Sequence, residues 1–408
     1  MTTGERAARA DATRFLLELG AALHRYGAGS PQIERVLGNA AQACGLRVHA
    51  FLLPTALFAC FDEEEPPRTQ LVRLEPSDVQ LDRLLRVDAL CARLFRGELE
   101  PAAGREELRA IERTPAPHGG LRVLASYVVL PACFAAVLGL GGREALFAAI
   151  AGGAIGLLAK LMQPRARLSR LFEPLSGFVA GALAVLAAQL FGGLAVTPAI
   201  LASVIVLIPG LSFTLALREL AERHLVAGTA RLMHAGISFL AIGAGCAGGY
   251  HALRLLLGEP PTLDPVALPL PIAALAFLPC SLAFGPLFQA PLRELPWLVV
   301  AGAVAFGSVQ TAGAQLGPEL GAFGGALALG MASNLYARHF DRSATVMLLP
   351  GLLLLVPGSF GLRSLGSFFE GAAVRGIENA FAMAILGIAL VLGLFLANAL
   401  VPPRGLDA

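Results

Sequence analysis

The chain has 408 residues, 56% of them hydrophobic and only 15% charged, with a formal net charge of +2 and a mean hydropathy of +0.69. Those values lie outside the range of soluble globular proteins and read as a membrane protein. A near-neutral balance without a basic tract interleaved with aromatics excludes a nucleic-acid partner.

Charge is unevenly placed. Of the 60 Asp, Glu, Lys and Arg residues, 32 precede residue 119, so a soluble part is expected over 1–118. From Asp11 the spacing puts Phe15, Leu16, Leu19, Leu23 and Tyr26 on one helical stripe, with Gly27 and Gly29 as a stop. Ser30-Pro31 reads as an N-cap followed by Pro at the first helical position. Three short runs, LRVHAFLLP, TALFACFD and RTQLVRLEP, read as strands. DVQLDRLLRVDALCARLF and a segment opened by Pro101 then read as helices, giving a small α+β domain of order ααβββαα.

Chemistry is sparse in this part. His24 and His49 are isolated, and Asp62-Glu63-Glu64-Glu65 reads as a solvated turn. Neither Ser30 nor Thr55 sits in a G-x-S-x-G elbow, so no catalytic residue is assigned. The six cysteines (44, 60, 91, 133, 246 and 280) lack CxxC or CxxH spacing and read as reduced thiols, with no metal and no cofactor implied. The first thirty residues carry acids and no long apolar core, so no cleaved leader is expected, and the N-terminus is placed in the cytosol.

A spanning helix needs about 20 mostly apolar residues. Ten candidates follow, near 121–141, 145–162, 174–194, 198–216, 231–256, 266–289, 296–315, 319–338, 344–360 and 376–400. With the N-terminal domain cytosolic, the even-numbered loops hold Lys160, Arg165, Arg167, Arg170, Arg218, Arg223 and Arg231, in keeping with the positive-inside rule. The expected location is the cytoplasmic (inner) membrane.

The stretch VLIPGLSFTLALREL (206–220) has a relative in LLVPGSFGLRSL (354–365). Pro209-Gly210 and Pro357-Gly358 lie 148 residues apart, and an offset of 145 pairs SGFVAGALAVLAAQL with GAFGGALALGMASNL. Two halves of five spans, 119–260 and 261–408, account for this, and an odd number of spans inverts the second half. The expected fold is therefore a polytopic α-helical membrane protein of about ten transmembrane helices in a 5+5 inverted repeat, behind the α+β cytosolic domain.

Pro removes an amide donor and Gly admits the φ/ψ values that the chain then needs, so each break frees backbone groups that persist in a membrane only in protein or a wet cavity. Candidate substrate-binding residues are Pro209, Gly210, Ser212 and Thr214, then Pro357, Gly358 and Ser359, with Gln189, Asn334 and Gln310 as polar groups within spans. The same amides serve equally as interhelical glue. Arg218, Glu219, His234, Glu173 and Arg363 are candidates for coupling or gating. The implied partners are a small-molecule substrate, protons and the lipid bilayer, with a homo-oligomer left open.

LLELGAALHRYGAGSPQIERVL, LRVHAFLLPTALFACF, PGLSFTLALREL and LVPGSFGLRSL, in that order, resemble the bacterial threonine/serine exporter family over nearly the whole chain. The resemblance implies a cytosolic N-terminal domain, ten spans, and secondary active export of threonine and serine coupled to the proton motive force. A two-protein relative associated with dicarboxylates such as succinate supplies an alternative substrate class. A further alternative is a membrane-anchored hydrolase or sensor whose N-terminal domain is the active part.

Overall fold

The structure, a computed structural model, describes residues 3–62, 68–75, 79–355, 358–369 and 372–403. Its N-terminal part runs through α1 (Thr3–Arg25), α2 (Ser30–Ala43), β1 (Val48–Leu53), β2 (Ala56–Phe61), β3 (Arg68–Arg73), α3 (Leu81–Phe95) and α4 (Pro101–Arg113), in the expected order. The strands form an antiparallel meander, β1-β2-β3, with Val48 opposite Phe61 and Ala56 opposite Arg73. The stripe read from the sequence is the buried one: Phe15, Leu16, Leu19, Leu23 and Tyr26 are each at most 1% exposed and share a core with Ile33, Leu37, Leu57 and Leu84. Past α1 the chain turns at Gly27, whose φ of +93° disfavours any residue with a β-carbon.

One expectation is corrected here. Gly29, extended at φ −75° and ψ 154°, precedes α2, and its carbonyl accepts the Ile33 N–H at 3.0 Å. Ser30 is therefore already helical and its side chain caps nothing.

The remainder is helical: α5 (Gly120–Val137), α6 (Gly142–Met162), the short α7 (Ala166–Ser169), α8 (Phe172–Phe191), α9 (Val196–Ser203), α10 (Gly210–Ala221), α11 (Leu225–Leu257), the short α12 (Leu270–Leu275), α13 (Phe277–Leu287), α14 (Leu295–Ser308), the single turn α15 (Ala314–Leu316), α16 (Pro318–Phe340), α17 (Thr345–Leu355), α18 (Gly358–Phe369) and α19 (Ala373–Leu400). Among the described residues eight stretches are long and apolar enough to cross a bilayer, and the pair α9 and α10, bent by 52°, makes a ninth if counted as one span. The stretch expected at 266–289 is a shorter apolar helix, Pro271–Leu287, because Pro269 precedes α12 and Pro271 occupies its first turn.

Matching helix pairings occur on either side of residue 260. Before it, α5 packs on α6, α6 on α9, α8 on α11 and α10 on α11; after it, α13 packs on α14, α14 on α17, α16 on α19 and α18 on α19. The two sides also exchange partners, α10 lying on α19 and α18 on α11. Lipid tails give apolar helices no reason to associate, so packing depends on close backbone approach. At the crossing of α8 and α11, a β-carbon on Gly177 or Gly181 would strike the Ile242 or Cys246 carbonyl, and one on Gly245 or Gly249 the Pro174 or Phe178 carbonyl.

Candidate functional site

The first break is local and explicable. After α9 the chain makes a 3₁₀ turn at Ile205–Leu207, extends at Ile208 (φ −62°, ψ 120°) and restarts at Gly210 with Pro209 as N-cap. The earliest backbone bond of α10 runs from the Phe213 amide to the Pro209 carbonyl, 2.9 Å. Amides of a first helical turn have no intrahelical acceptor, and the helix dipole adds partial positive charge there. Before the break α9 packs mainly on α5, α6 and α8; beyond it α10 packs mainly on α11 and α19, so the broken span passes from one main set of helices to another, with α18 touching both segments.

Beside the break lies a cavity of about 40 Å³. Ile205, Val206, Ile208 and Gly210 line it from one half, and Leu353 and Leu354, just before the second Pro-Gly, from the other. Val206 and Leu354 are separated by the same 148 residues that separate the two Pro-Gly pairs. Pro357 lies outside the described residues; Gly358 and Ser359 open α18. Thr214, one turn into α10, is 1% exposed and its hydroxyl has no hydrogen-bond partner among the described residues, while Ser212 is half-buried.

Other candidates fall elsewhere. Gln189 is exposed, its amide nitrogen 3.4 Å from the Leu257 carbonyl and 3.3 Å from that of Glu259, tying α8 to the end of α11. Asn334 donates to Asn398 Oδ1 at 2.8 Å and to the Val401 carbonyl at 2.7 Å, tying α16 to the end of α19. The two amides, paired in the repeat alignment, thus make the same tie in each half, and neither lines the cavity at the break. Gln310 is exposed on a π-helical turn, Val309–Gly313. Glu173 accepts the Ser238 hydroxyl at 2.8 Å, His234 is exposed, and Arg363, also exposed, lies over the Phe360 ring at 5.8 Å.

Arg218 and Glu219 do not pair with each other. Arg218 binds Glu222 at 2.9 Å, whereas Glu219, 3% exposed, receives both Arg231 Nε and Nη2 at 3.0 Å. Glu219 also receives the Ser30 amide at 3.3 Å, which is where the expected cap residue spends its N–H. The N-terminal part is held at further points. Glu34 accepts the Leu52 amide at 2.9 Å and faces His224 at 3.6 Å. The Leu81 and Asp82 amides donate to the Phe288 and Gln289 carbonyls at 2.9 and 3.2 Å. Burial, reinforced by Arg231, holds His24 of the N-terminal part below its ordinary pKa.

Two residues escaped the sequence reading. Glu144, 4% exposed, accepts the Gly141 amide at 3.1 Å and the Ala195 amide at 3.2 Å, joining the start of α6 to the start of α9. Glu294, fully buried, accepts the Tyr336 hydroxyl at 2.6 Å and Arg293 Nε at 3.1 Å, and also binds Arg342. Glu144 thus fastens α6 to the connection leading into the broken span of α9 and α10, and Glu294 fastens α14 to the connection between α16 and α17. The signal was in the chain: Arg143-Glu144 and Arg293-Glu294 stand 150 apart, as do Ala151-Gly152 and Ala301-Gly302. Among the described residues no group of three His, Cys, Asp or Glu side chains could hold a metal ion.

A family model described as threonine/serine exporter matches residues 14–253, and a second with that description matches residues 273–400. The chain is also similar to an uncharacterized protein of Schizosaccharomyces pombe, 24% identical over 386 residues that cover 90% of this chain and 45% of that protein. The chain thus spans a little under half the length of that curated relative. No solved structure matches.

Proposed function

The chain belongs to the threonine/serine exporter family, and from that premise we propose that it exports small polar amino acids, threonine and serine first, by secondary active transport coupled to protons. It is a multi-pass membrane protein with eight candidate spans among the described residues. In this reading ten spans form two inverted halves, and the N-terminal part lies in the cytosol. The matching helix pairings of the two halves support the first point, and the arginines of the even-numbered loops support the second.

The observation that carries the proposal is that the break at Pro209 and the turn before Pro357 border one cavity. A substrate carboxylate would take the free amides at the start of α10, where the helix dipole favours an anion. Ser212 and Thr214 lie further along α10, outside the lining of that cavity, and would meet the substrate hydroxyl only after it leaves the break. Because α9 and α10 belong to different helix sets, movement of one set against the other would open this point to alternate sides. No basic side chain lines the cavity among the described residues, which favours a zwitterion with one carboxylate over a dicarboxylate. Arg231 is committed to Glu219.

Counterflow in liposomes tests the reading. Protein reconstituted with internal threonine, serine or succinate should accumulate external labelled threonine and serine, faster when a pH gradient is imposed. Accumulation with succinate alone would replace the substrate class.

A further inference from the structure

A second cavity, of about 80 Å³, lies between the N-terminal part and the membrane helices. One wall comes from the turn and first helical turns after Tyr26, including Gln32 and Arg35; the others come from α10 through Arg218 and Glu219, from α17 through Thr345 and from α19 through Asn398. We propose that this cavity is the cytosolic entrance at which the exported amino acid is first bound, and that the N-terminal part supplies a working wall of it. The proposal rests on the exporter reading.

The chemistry of the two cavities differs in the way a route requires. Around the break the side chains are aliphatic and aromatic, so only backbone groups offer polarity. The second cavity is lined by Arg35 and by Arg218, the latter also paired with Glu222 at 2.9 Å, residues whose guanidinium chemistry suits a carboxylate, together with Gln32, Asn398 and Thr345. Glu219 carries the charge that an ammonium group would meet there, while Arg231, bound to both its oxygens, limits that attraction and leaves room for release.

One helix joins the two. Gly210 of α10 lines the cavity at the break, and Leu215, Arg218 and Glu219 of the same helix line the second. At about 1.5 Å per residue the two ends of this wall are about 13 Å apart. Between them stands Thr214, buried with its hydroxyl unpartnered among the described residues. A buried hydroxyl left unpaired is costly, and a polar solute passing along α10 would satisfy it. The wall from the N-terminal part is fixed in place by the bond from the Ser30 amide to Glu219 and by the docking of α3 on the Phe288 and Gln289 carbonyls.

The test uses the full chain in liposomes and reads threonine counterflow against concentration. Arg35→Ala should raise KM at least fivefold with the maximal rate within twofold, Arg35→Lys should recover part of that loss, and Gln32→Trp should lower the maximal rate at least tenfold. Arg47→Ala, at an exposed arginine outside the cavity, should change neither. As a measurement independent of turnover, Gln32→Cys in a chain with Cys44 and Cys60 replaced by Ser should react with a water-soluble maleimide at least threefold more slowly in saturating threonine. Unchanged KM in Arg35→Ala, or labelling indifferent to threonine, with normal counterflow by the unaltered chain, would overturn this inference and leave the exporter reading standing. No counterflow by the unaltered chain would overturn the exporter reading and this inference with it.

Discussion

Phe213 of α10 lies against Gly387 of α19, so close that a β-carbon on the glycine would stand 3.0 Å from the ring. The contact occurs twice with its roles exchanged. Phe239 of α11 lies against Gly361 of α18, where a β-carbon would stand 2.7 Å from the ring. Phe213 and Gly361 are 148 residues apart, and so are Phe239 and Gly387. A pair in which each proposed half offers the ring once and the glycine once is what the proposed pseudo-two-fold axis would produce, as in an isologous interface.

Overpacking at these points should therefore act symmetrically. Gly361→Val and Gly387→Val should each destabilise the protein by about 1–3 kcal/mol, the usual cost of forcing extra methyl groups into a filled space. Thermal unfolding in detergent is the measurement, and a large loss from one variant with none from the other would speak against equivalent halves.

Glu219 and Arg231 form a buried pair, the carboxylate side chain being 4% exposed. Arg231→Ala strands that charge and should cost about 3–5 kcal/mol, most of which the double variant Glu219→Gln/Arg231→Gln should restore. Because the Ser30 amide also binds Glu219, the single variant should in addition speed hydrogen exchange at Ser30.

The two buried carboxylates differ in what they hold. Glu294→Ala leaves Arg342 and the buried Tyr336 hydroxyl without this partner and should cost about 3–5 kcal/mol. Glu144→Ala frees two amides at helix starts and should cost about 1–2 kcal/mol, the range of a lost N-terminal cap. Chemical denaturation of both variants checks the ranking.

His24 gives the docked N-terminal part a pH dependence. Its pKa is lowered from 6.5 by burial first and by Arg231 second, against the Pro54 carbonyl and Glu219, which favour the charged ring. The docked form therefore holds the neutral imidazole, so docking is strongest above about 6.5 and weakens as pH falls below it and the free ring takes up a proton. Protection of the α2 amides relative to their intrinsic exchange rates should fall between pH 7.5 and 5.5 in the unaltered chain and stay level in His24→Gln.

What could be read from the sequence was what depends on local period. The stripe from Phe15 to Tyr26, the strand order and the apolar helices follow from spacing that neighbours fix. Ser30 was misread as a cap because Gly29 takes the extended position before α2, while Glu219, 189 residues away, accepts the Ser30 amide. Gln189 and Asn334 were recognised as equivalent, yet their use as ties depends on where α11 and α19 end. Glu144 and Glu294 sit beside exposed arginines and look like solvated charges until the connections that cover them are placed. The shortness of the 271–287 helix was written in its prolines, which a hydropathy window averages away.

The break at Pro209 is where the account is most exposed. Pro209→Ala should insert in the membrane at normal yield while threonine counterflow falls at least tenfold, because a straightened α9–α10 span no longer presents its free amides to the cavity, and Pro357→Ala, at the matching position, should do the same alone and together with it. Counterflow at the unaltered rate from both single variants would contradict it.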